Sequence, residues 1–209
     1  MIRLYVIDDD FLVHDGLCSS LKDELDRLEV AGVSFFIEDA ITKIPRLEVD
    51  IILLDLYLKC LDPVKNFLRI HQAFPEIPTV ILSSECCLLW QLEMFRLGAH
   101  AYIHKGEDFT SICQKLMRVA NGDVVIPCEV NRILRLGNGS NSGLQSIPGF
   151  LEIILGLDNR MGIGEIAKKL NQSCSSVEKT LQKIRNCFDV QSNADLLRKA
   201  MSGHNSLLY

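Results

Sequence analysis

The stretch IILLDLYLKC, residues 51–60, decides the fold. Four consecutive aliphatic residues follow the polar step 48–50, a pattern typical of a central parallel strand that helices cover on both faces. Asp55 ends this run at the carboxyl end of the strand. A half-buried carboxylate costs roughly 2 kcal/mol or more unless a cation or hydrogen-bond donors compensate it. Because ligands gather at this edge of open α/β sheets, the stretch predicts a sheet and a functional site together.

Short apolar segments alternate with helix-length amphipathic segments through the first 120 or so residues. The predicted strands are 3–7, 32–37, 50–54, 78–82 and 101–103. The predicted helices are 11–28, 40–47, 63–74, 87–97 and 109–120. Five such alternations predict an α/β domain with a doubly wound five-stranded parallel sheet and right-handed crossovers.

The second part of the chain follows a run of Gly, Ser and Asn, GNGSNSG at 137–143. That composition cannot bury enough apolar surface to order itself, so it predicts a flexible linker. The predicted helices beyond it are 149–157, 163–170, 175–188 and 193–201. The predicted organisation is an α/β domain over 1–122, a linker with a short helix over 123–145, and a small all-α domain over 146–209.

Composition favours a cytoplasmic globular protein. The chain of 209 residues is 48% hydrophobic and 23% charged, and its apolar stretches fall short of the ~18 residues that a membrane span needs. Eight scattered cysteines without a C-x-x-C pair favour reduced thiols over a disulfide framework or a zinc site. The N-terminus begins a strand, with no signal-peptide pattern.

Charge is distributed unevenly along the chain. Residues 1–145 carry 14 basic and 21 acidic side chains, whereas residues 146–209 carry 8 and 6. The acidic part is a poor candidate for nucleic-acid binding, and the slightly basic helical part is a candidate for weak binding.

Polar side chains follow the ends of three predicted strands besides that of Asp55. Asp8 and Asp9 follow the first strand, Ser83 the fourth and Lys105 the fifth. Taken alone, the acidic run is typical of a helix N-cap and Lys105 of a solvated surface residue. Together these groups form a pocket in which carboxylates suit magnesium and a lysine offsets their repulsion. Such a set can position a phosphoryl group and neutralise its charge.

Four segments carry a resemblance to a known family. These are VIDDDF at 6–11, ILLDLYL at 52–58, VILSSE at 80–85 and GAHAYIHKGE at 98–107. Residues 1–122 thereby resemble the receiver domains of bacterial response regulators, which have a flavodoxin-like fold.

The resemblance implies a role for each residue of the pocket. Asp55 accepts a phosphoryl group from a sensor histidine kinase, Lys105 pairs with the acceptor or its phosphate, and Ser83 and Tyr102 form the switch. The implied Mg²⁺ ligands are Asp8, Asp9, Asp55 and the backbone carbonyl of Tyr57. The chain departs from the family at residues 59–60, where Lys-Cys replaces the usual Pro-Gly, so the loop beside the acceptor is expected to have its own shape.

Residues 146–201 resemble the LuxR-type helix-turn-helix of the NarL/FixJ response regulators. Residues 163–170 correspond to the scaffold helix, 171–174 to the turn, and 175 onward to the recognition helix, whose short polar and basic groups reach phosphates and base edges. The residues predicted to face DNA are Ser175, Ser176, Glu178, Lys179, Gln182 and Lys183. Glu178 departs from the Lys common in the family, and Arg160 replaces a frequent Gly.

These features predict a DNA-binding response regulator that is not an enzyme. Phosphorylation at Asp55 would control homodimerisation on promoter DNA, since one copy with so little positive charge binds weakly. Two alternatives stay open. One is a transcription regulator that dimerises without phosphorylation, which the complete pocket disfavours. The other is an adaptor or phosphoryl sink whose helical domain binds protein, which Glu178 favours.

Overall fold

The computed structural model divides the chain into two compact units. The residues it describes are 1–10, 28–58, 62–136, 147 and 149–202. The first unit comprises Met1–Ser84 and Leu97–Ile126, and the second comprises Glu85–Arg96 and Pro127–Tyr209.

The first unit is built on a five-stranded sheet in which every pair of neighbouring strands is parallel. Its strands are β1 (Ile2–Ile7), β2 (Leu28–Ser34), β3 (Ile51–Asp55), β4 (Thr79–Ser83) and β5 (Ala101–His104). The order is β2-β1-β3-β4-β5, so the chain reverses its winding direction between β1 and β3. Every residue of β3 is buried, as its aliphatic run requires. The predicted doubly wound parallel sheet is confirmed.

Four helices of the described residues alternate with the strands along the chain, and five more come after the last strand. They are α1 (Ile37–Lys43), α2 (Pro63–Ala73), α3 (Leu88–Leu97), α4 (Phe109–Ala120), α5 (Cys128–Leu136), α6 (Phe150–Asp158), α7 (Ile163–Lys169), α8 (Cys174–Phe188) and α9 (Asn193–Ala200). Asp62 caps α2 by accepting from the Val64 N–H at 3.0 Å, and Asp108 caps α4 by accepting from the Ser111 N–H at 2.9 Å. The buried face of α4 packs Leu116 and Val119 into the core of the sheet.

The prediction for the second strand was wrong in its bounds. The strand begins at Leu28, predicted as helix, and ends at Ser34, before the predicted end at Ile37. Leu28 is buried in the core with β1 and β3, which favours strand pairing over a helix end at that position. Ile37 instead begins α1, which gives way to a 3-10 turn at Ile44–Arg46, where a proline cannot continue the α-helical hydrogen bonds. The rest of the predicted first helix, 11–27, lies outside the described residues.

Helix α3 groups with the second compact unit, of which residues 85–96 are part. The predicted domain boundaries, which include this helix in the first domain, stay a prediction. The buried residues of α3 lie on every side, among them Leu89 and Phe95, as expected for a helix that other structure covers all round. At its N-terminus, the Leu88 N–H donates to the Ser202 carbonyl at 3.2 Å, and the Cys87 thiol donates to the Ala200 carbonyl at 3.2 Å. The end of α9 therefore meets the start of α3.

Helix α5 also packs within the second unit. Val130 and Ile133 on it are almost fully buried, and Glu129 forms ion pairs with Arg132 on the same helix and with Lys199 on α9. The predicted GNGSNSG linker lies outside the described residues. Helix α5 is thus part of the packed helical unit.

The helix-turn-helix pattern is present in α7 and α8. Six apolar positions at helical spacing are expected to be buried in this motif. Five of them are buried, namely Ile166, Val177, Leu181, Ile184 and Phe188, and Leu170 is half-buried. The predicted turn extended through Cys174, but that residue begins α8 because Ser173 is the N-cap and accepts from the Ser176 N–H at 3.1 Å. Among the described residues, no helix has the length and apolarity needed to cross a membrane.

Arg160 has a left-handed backbone conformation, with φ of 58°, just before α7. This conformation costs a residue with a Cβ about 1 kcal/mol or more, and glycine avoids the cost. We therefore expect Arg160→Gly to raise the free energy of unfolding of the helical unit by about 1 kcal/mol, measured by urea denaturation. Asn171→Gly is the matched control, because Asn171 has a similar φ of 53° but tolerates it better. An equal or larger gain for Asn171→Gly would contradict the explanation.

Candidate functional site

One ammonium group bridges two buried carboxylates at the carboxyl edge of the sheet. Lys105 Nζ lies 2.8 Å from Asp8 Oδ2 and 2.9 Å from Asp55 Oδ1. Asp8 is fully buried and follows β1, Asp55 is 7% exposed and ends β3, and Lys105 follows β5. The parallel order of the strands brings these three ends together, as the sequence predicted.

Asp9 completes an acidic cluster open to solvent on one side. One carboxylate oxygen from each of Asp8, Asp9 and Asp55 lies within 4.8 Å of the other two, and Asp9 is exposed whereas Asp8 and Asp55 are buried. Oxygen donors in this number and at this spacing suit a hard divalent cation that keeps some of its waters. Asp10 donates its backbone N–H to Asp8 Oδ1 at 2.9 Å.

The loop after β3 orients the Asp55 carboxylate. The Tyr57 N–H donates to Asp55 Oδ2 at 3.0 Å, while Oδ1 faces Lys105. The two oxygens of the acceptor candidate are thus held in different directions. The role predicted for the Tyr57 carbonyl as a metal ligand stays a prediction, and residues 59–60 lie outside the described residues.

Burial and neighbouring charges act in opposite directions on the pocket. Burial raises the pKa of Asp55 above its usual range, Lys105 offsets part of this rise, and the charge of Asp8 adds to it. Burial lowers the pKa of Lys105, but the attraction of Asp55 and Asp8 outweighs it, so the pKa of Lys105 is raised. Lys105 therefore stays an ammonium, and Asp55 carries its charge at a cost in folding energy.

This cost leads to a pH-dependent prediction for Asp55→Asn. Because the pKa of Asp55 is higher in the folded than in the unfolded state, folding favours its protonated form. The free energy of unfolding therefore falls as pH rises from the unfolded-state pKa to the folded-state pKa. Asp55→Asn removes this loss, so without a divalent ion we expect the variant to unfold at higher urea than wild type at pH 7. The difference should vanish at pH values below the ordinary aspartate pKa. Urea denaturation across pH checks this, and a gain that persists at low pH would contradict it.

The predicted switch residues are both buried. Ser83 is 1% exposed at the end of β4, and its carbonyl accepts from the Lys105 N–H at 2.8 Å. Tyr102 is 5% exposed on β5. His104 shapes the neighbouring loop: Nδ1 accepts from the Gly106 N–H at 3.1 Å, so Nε2 carries the proton toward the Ser84 carbonyl at 3.0 Å.

The residues predicted to face DNA lie along α8. Five are exposed, namely Ser175, Glu178, Lys179, Gln182 and Lys183. Ser176 is half-buried, and its hydroxyl donates to the side chain of Gln172 at 3.1 Å. The sequence prediction missed Arg185, which contacts Gln182 and also reaches Asn193 at the start of α9. Only its position three residues after Gln182 pointed to the first contact, because neighbours at that spacing share a helix face.

A family model described as the response regulator receiver domain matches residues 4–117, more than half of the chain. The chain belongs to this family. The response regulator protein VraR of Staphylococcus epidermidis is 31% identical to it over 132 residues, which are 62% of this chain and 61% of VraR. The chain thus matches about three fifths of that relative's length.

Two further likenesses extend the comparison of this response regulator. A protein-glutamate methylesterase/protein-glutamine glutaminase of Trichodesmium erythraeum is 30% identical over 105 residues, 49% of this chain and 30% of that protein. The structure of RcsB from Salmonella enterica serovar Typhimurium, bound to promoter rprA in the presence of phosphomimetic BeF3−, has a TM-score of 0.63 at 21% identity and covers 96% of this chain and 98% of its own. The likeness shows the same fold in both units.

Proposed function

We propose that this chain is a DNA-binding response regulator of a two-component system, phosphorylated at Asp55 by a sensor histidine kinase. The observation that carries the proposal is the Lys105 ammonium between Asp8 and Asp55, with Ser83 beside it at the same edge of the sheet. In this arrangement Asp55 is a buried nucleophile and Lys105 is a cation held beside it, the two groups that phosphorylation of a receiver domain requires. Phosphorylation then controls homodimerisation and transcription.

The chemistry is transfer of a phosphoryl group between two side chains. An Asp55 carboxylate oxygen forms a bond to phosphorus as the bond from phosphorus to one ring nitrogen of the kinase histidine breaks. The other ring nitrogen of that histidine carries a proton, so the histidine leaves as neutral imidazole. The Tyr57 N–H contacts one oxygen of Asp55 and Lys105 contacts the other, so the orientation of the carboxylate is fixed before phosphoryl transfer. Lys105 neutralises charge on the phosphoryl oxygens, which is most of what a protein contributes to this reaction.

The acidic cluster fits a bound Mg²⁺. Asp8, Asp9 and Asp55 would hold the ion together with the Tyr57 carbonyl, and the ion would supply positive charge against the phosphoryl oxygens. A fully buried Asp8 beside a second buried carboxylate supports this assignment, because Lys105 alone leaves the cluster of three acids with net negative charge.

The switch is proposed to run through Ser83 and Tyr102. Ser83 joins β4 to the loop behind the phosphorylation pocket, and its carbonyl is tied to Lys105. A hydroxyl that turns toward the new phosphoryl group leaves space beside β5, where Tyr102 is buried. A change of packing at Tyr102 would alter the surface through which two copies associate.

The helical unit is proposed to bind promoter DNA through α8. Its exposed polar face and the two serines near its start, Ser175 and Ser176, suit backbone and base contacts. The RcsB structure, described as bound to a promoter, shares this fold and supports the proposal. Exposed free cysteines at Cys128 and Cys174 suit a reducing compartment, so we place the protein in the cytoplasm. No enzymatic output is proposed.

The proposal is tested in two steps. Wild type incubated with acetyl phosphate and Mg²⁺ should gain the mass of one phosphoryl group and shift toward dimer, and Asp55→Ala should do neither. The phosphorylated protein should then bind promoter fragments with an affinity that falls steeply as salt rises, because phosphate contacts release counterions. Phosphorylation without any DNA binding would favour the adaptor alternative. Glu178 is exposed and its carboxylate would repel DNA phosphates, which also favours that alternative. No mass gain in wild type would refute the phosphorylation site.

A further inference from the structure

The side-chain amide of Gln182 is held at both ends on the exposed face of α8. Its oxygen accepts a hydrogen bond from the guanidinium of Arg185. Its nitrogen donates to Asn186 Oδ1 at 3.0 Å. Gln182 is exposed and Arg185 is half-buried, so the more buried side chain orders the more exposed one.

Arg185 is itself anchored on a second helix. Its Nη1 donates to Asn193 Oδ1 at 2.7 Å, and Asn193 is the first residue of α9, directly after the N-cap Ser192. The Ser192 hydroxyl accepts from the Asp195 N–H at 3.1 Å, which fixes this end of α9. The orientation of the Gln182 amide thus depends on packing between α8 and α9.

The chemistry of arginine decides which end of the amide is which. A guanidinium only donates hydrogen bonds, so the amide atom that faces Arg185 has to be the oxygen. A hydrogen bond from a charged donor is about twice as strong as one between neutral groups, so it holds the amide oxygen toward Arg185. Asn186 takes one of the two amide hydrogens. Within the part of the chain that the structure describes, the second N–H has no acceptor, so it is available to a partner outside the protein.

We propose that Arg185 is a positioning residue that makes Gln182 a hydrogen-bond donor toward DNA, so that the base read there is guanine. The inference rests on the proposed DNA-binding function and specifies its readout. A free glutamine pairs with adenine through both ends of its amide, the oxygen accepting from N6 and the nitrogen donating to N7. Arg185 occupies one of the two lone pairs of the oxygen and places a positive charge beside it. That charge disfavours a second donor such as adenine N6, so an edge that presents acceptors only, as the N7 and O6 of guanine do, is the better partner.

The test is selection of binding sites from a pool of random duplex DNA by the full chain treated with acetyl phosphate and Mg²⁺. Gln182→Ala locates the base pair in question, because it should flatten the preference at that position alone. Wild type should select guanine there. Arg185→Met should shift the ratio of guanine to adenine about tenfold toward adenine, the size expected for one base contact, and leave the other positions unchanged.

Two further variants separate positioning from folding. Arg185→Lys keeps a donor and should retain part of the guanine preference. Asn193→Ala removes the anchor of Arg185 without changing α8 and should shift the preference in the same direction as Arg185→Met. Thermal unfolding of each variant checks that the helical unit is intact, and NMR relaxation of the Gln182 side-chain amide should show greater motion in Arg185→Met than in wild type.

Several results would overturn the inference. Adenine selected by wild type, an unchanged guanine preference in Arg185→Met, or an equal loss at every position would each refute positioning by Arg185. If wild type selects no sequence although Asp55 is phosphorylated, the DNA-binding function fails and the inference fails with it. Sequence selection with the wrong base at the Gln182 position leaves the proposed function intact and refutes this inference alone.

Discussion

Lys105→Met is expected to lower the free energy of unfolding of the receiver unit by about 3 kcal/mol, because it removes one partner of a buried ionic network and leaves the others in place. Lys105 Nζ contacts Asp8 and Asp55 at 2.8 and 2.9 Å, and both carboxylates are almost fully buried. Methionine fills a similar volume without the charge, so the loss reports electrostatics more than packing. Urea denaturation without divalent ions measures it.

The same substitution should also slow phosphorylation. Without the ammonium, the pKa of Asp55 rises further above its already raised value, so a smaller fraction of the carboxylate is charged at a given pH. We expect the rate of phosphoryl uptake from acetyl phosphate in Lys105→Met to fall most at low pH and to recover partly as pH rises.

Lys115→Met is the matched control. Lys115 pairs with Glu107 at 2.5 Å, but both side chains are about a quarter exposed, and pairs of this kind contribute little. We expect a loss of at most about 1 kcal/mol and normal phosphorylation. The cost of Lys105→Met should also shrink in an Asp55→Asn background, where one carboxylate is already neutral. Equal costs for the two lysines, or a cost of Lys105→Met that is unchanged in that background, would contradict the bridging role.

The sheet and its pocket were predictable because both depend on patterns that are local in sequence. The aliphatic run at 51–54 fixes a buried strand, and parallel order places Asp8, Asp55 and Lys105 at one edge whatever the details of the loops. The error at 32–37 arose where apolar residues continue past the end of the strand, so that pattern alone does not show where β2 ends and α1 begins.

The placement of α3 and the contacts of Arg185 were not predictable in the same way. A run such as LLWQLEMFRL shows that the helix is covered on several sides, but its sequence does not name the element that covers it. The bond from Arg185 to Asn193 joins residues on two helices whose packing has to be known first. Contacts of this kind depend on tertiary structure, and no periodic pattern of residues in the sequence indicates them.

Phe188→Ala is expected to destabilise the helical unit by about 4 kcal/mol. Phe188 ends α8, is fully buried, and stacks on Phe150 of α6 with ring centroids 6.4 Å apart. Removing the ring leaves a cavity between the two helices and takes away a contact that holds the C-terminal end of the proposed recognition helix. Chemical denaturation followed by circular dichroism measures the loss, and DNA binding should fall because α8 is no longer held in place.

The receiver unit provides an internal control for Phe188→Ala. The substituted side chain packs within the helical unit, so phosphorylation of Asp55 by acetyl phosphate should proceed as in wild type. Phe188→Leu keeps most of the apolar volume and should cost roughly 1 kcal/mol, as swaps between large apolar side chains do. If Phe188→Ala and Phe188→Leu were equally stable, the ring would not be filling a packed core. If phosphorylation of Asp55 also failed, the substitution would act beyond the helical unit. That result would contradict the assignment of Phe188 to a core formed by α6 and α8.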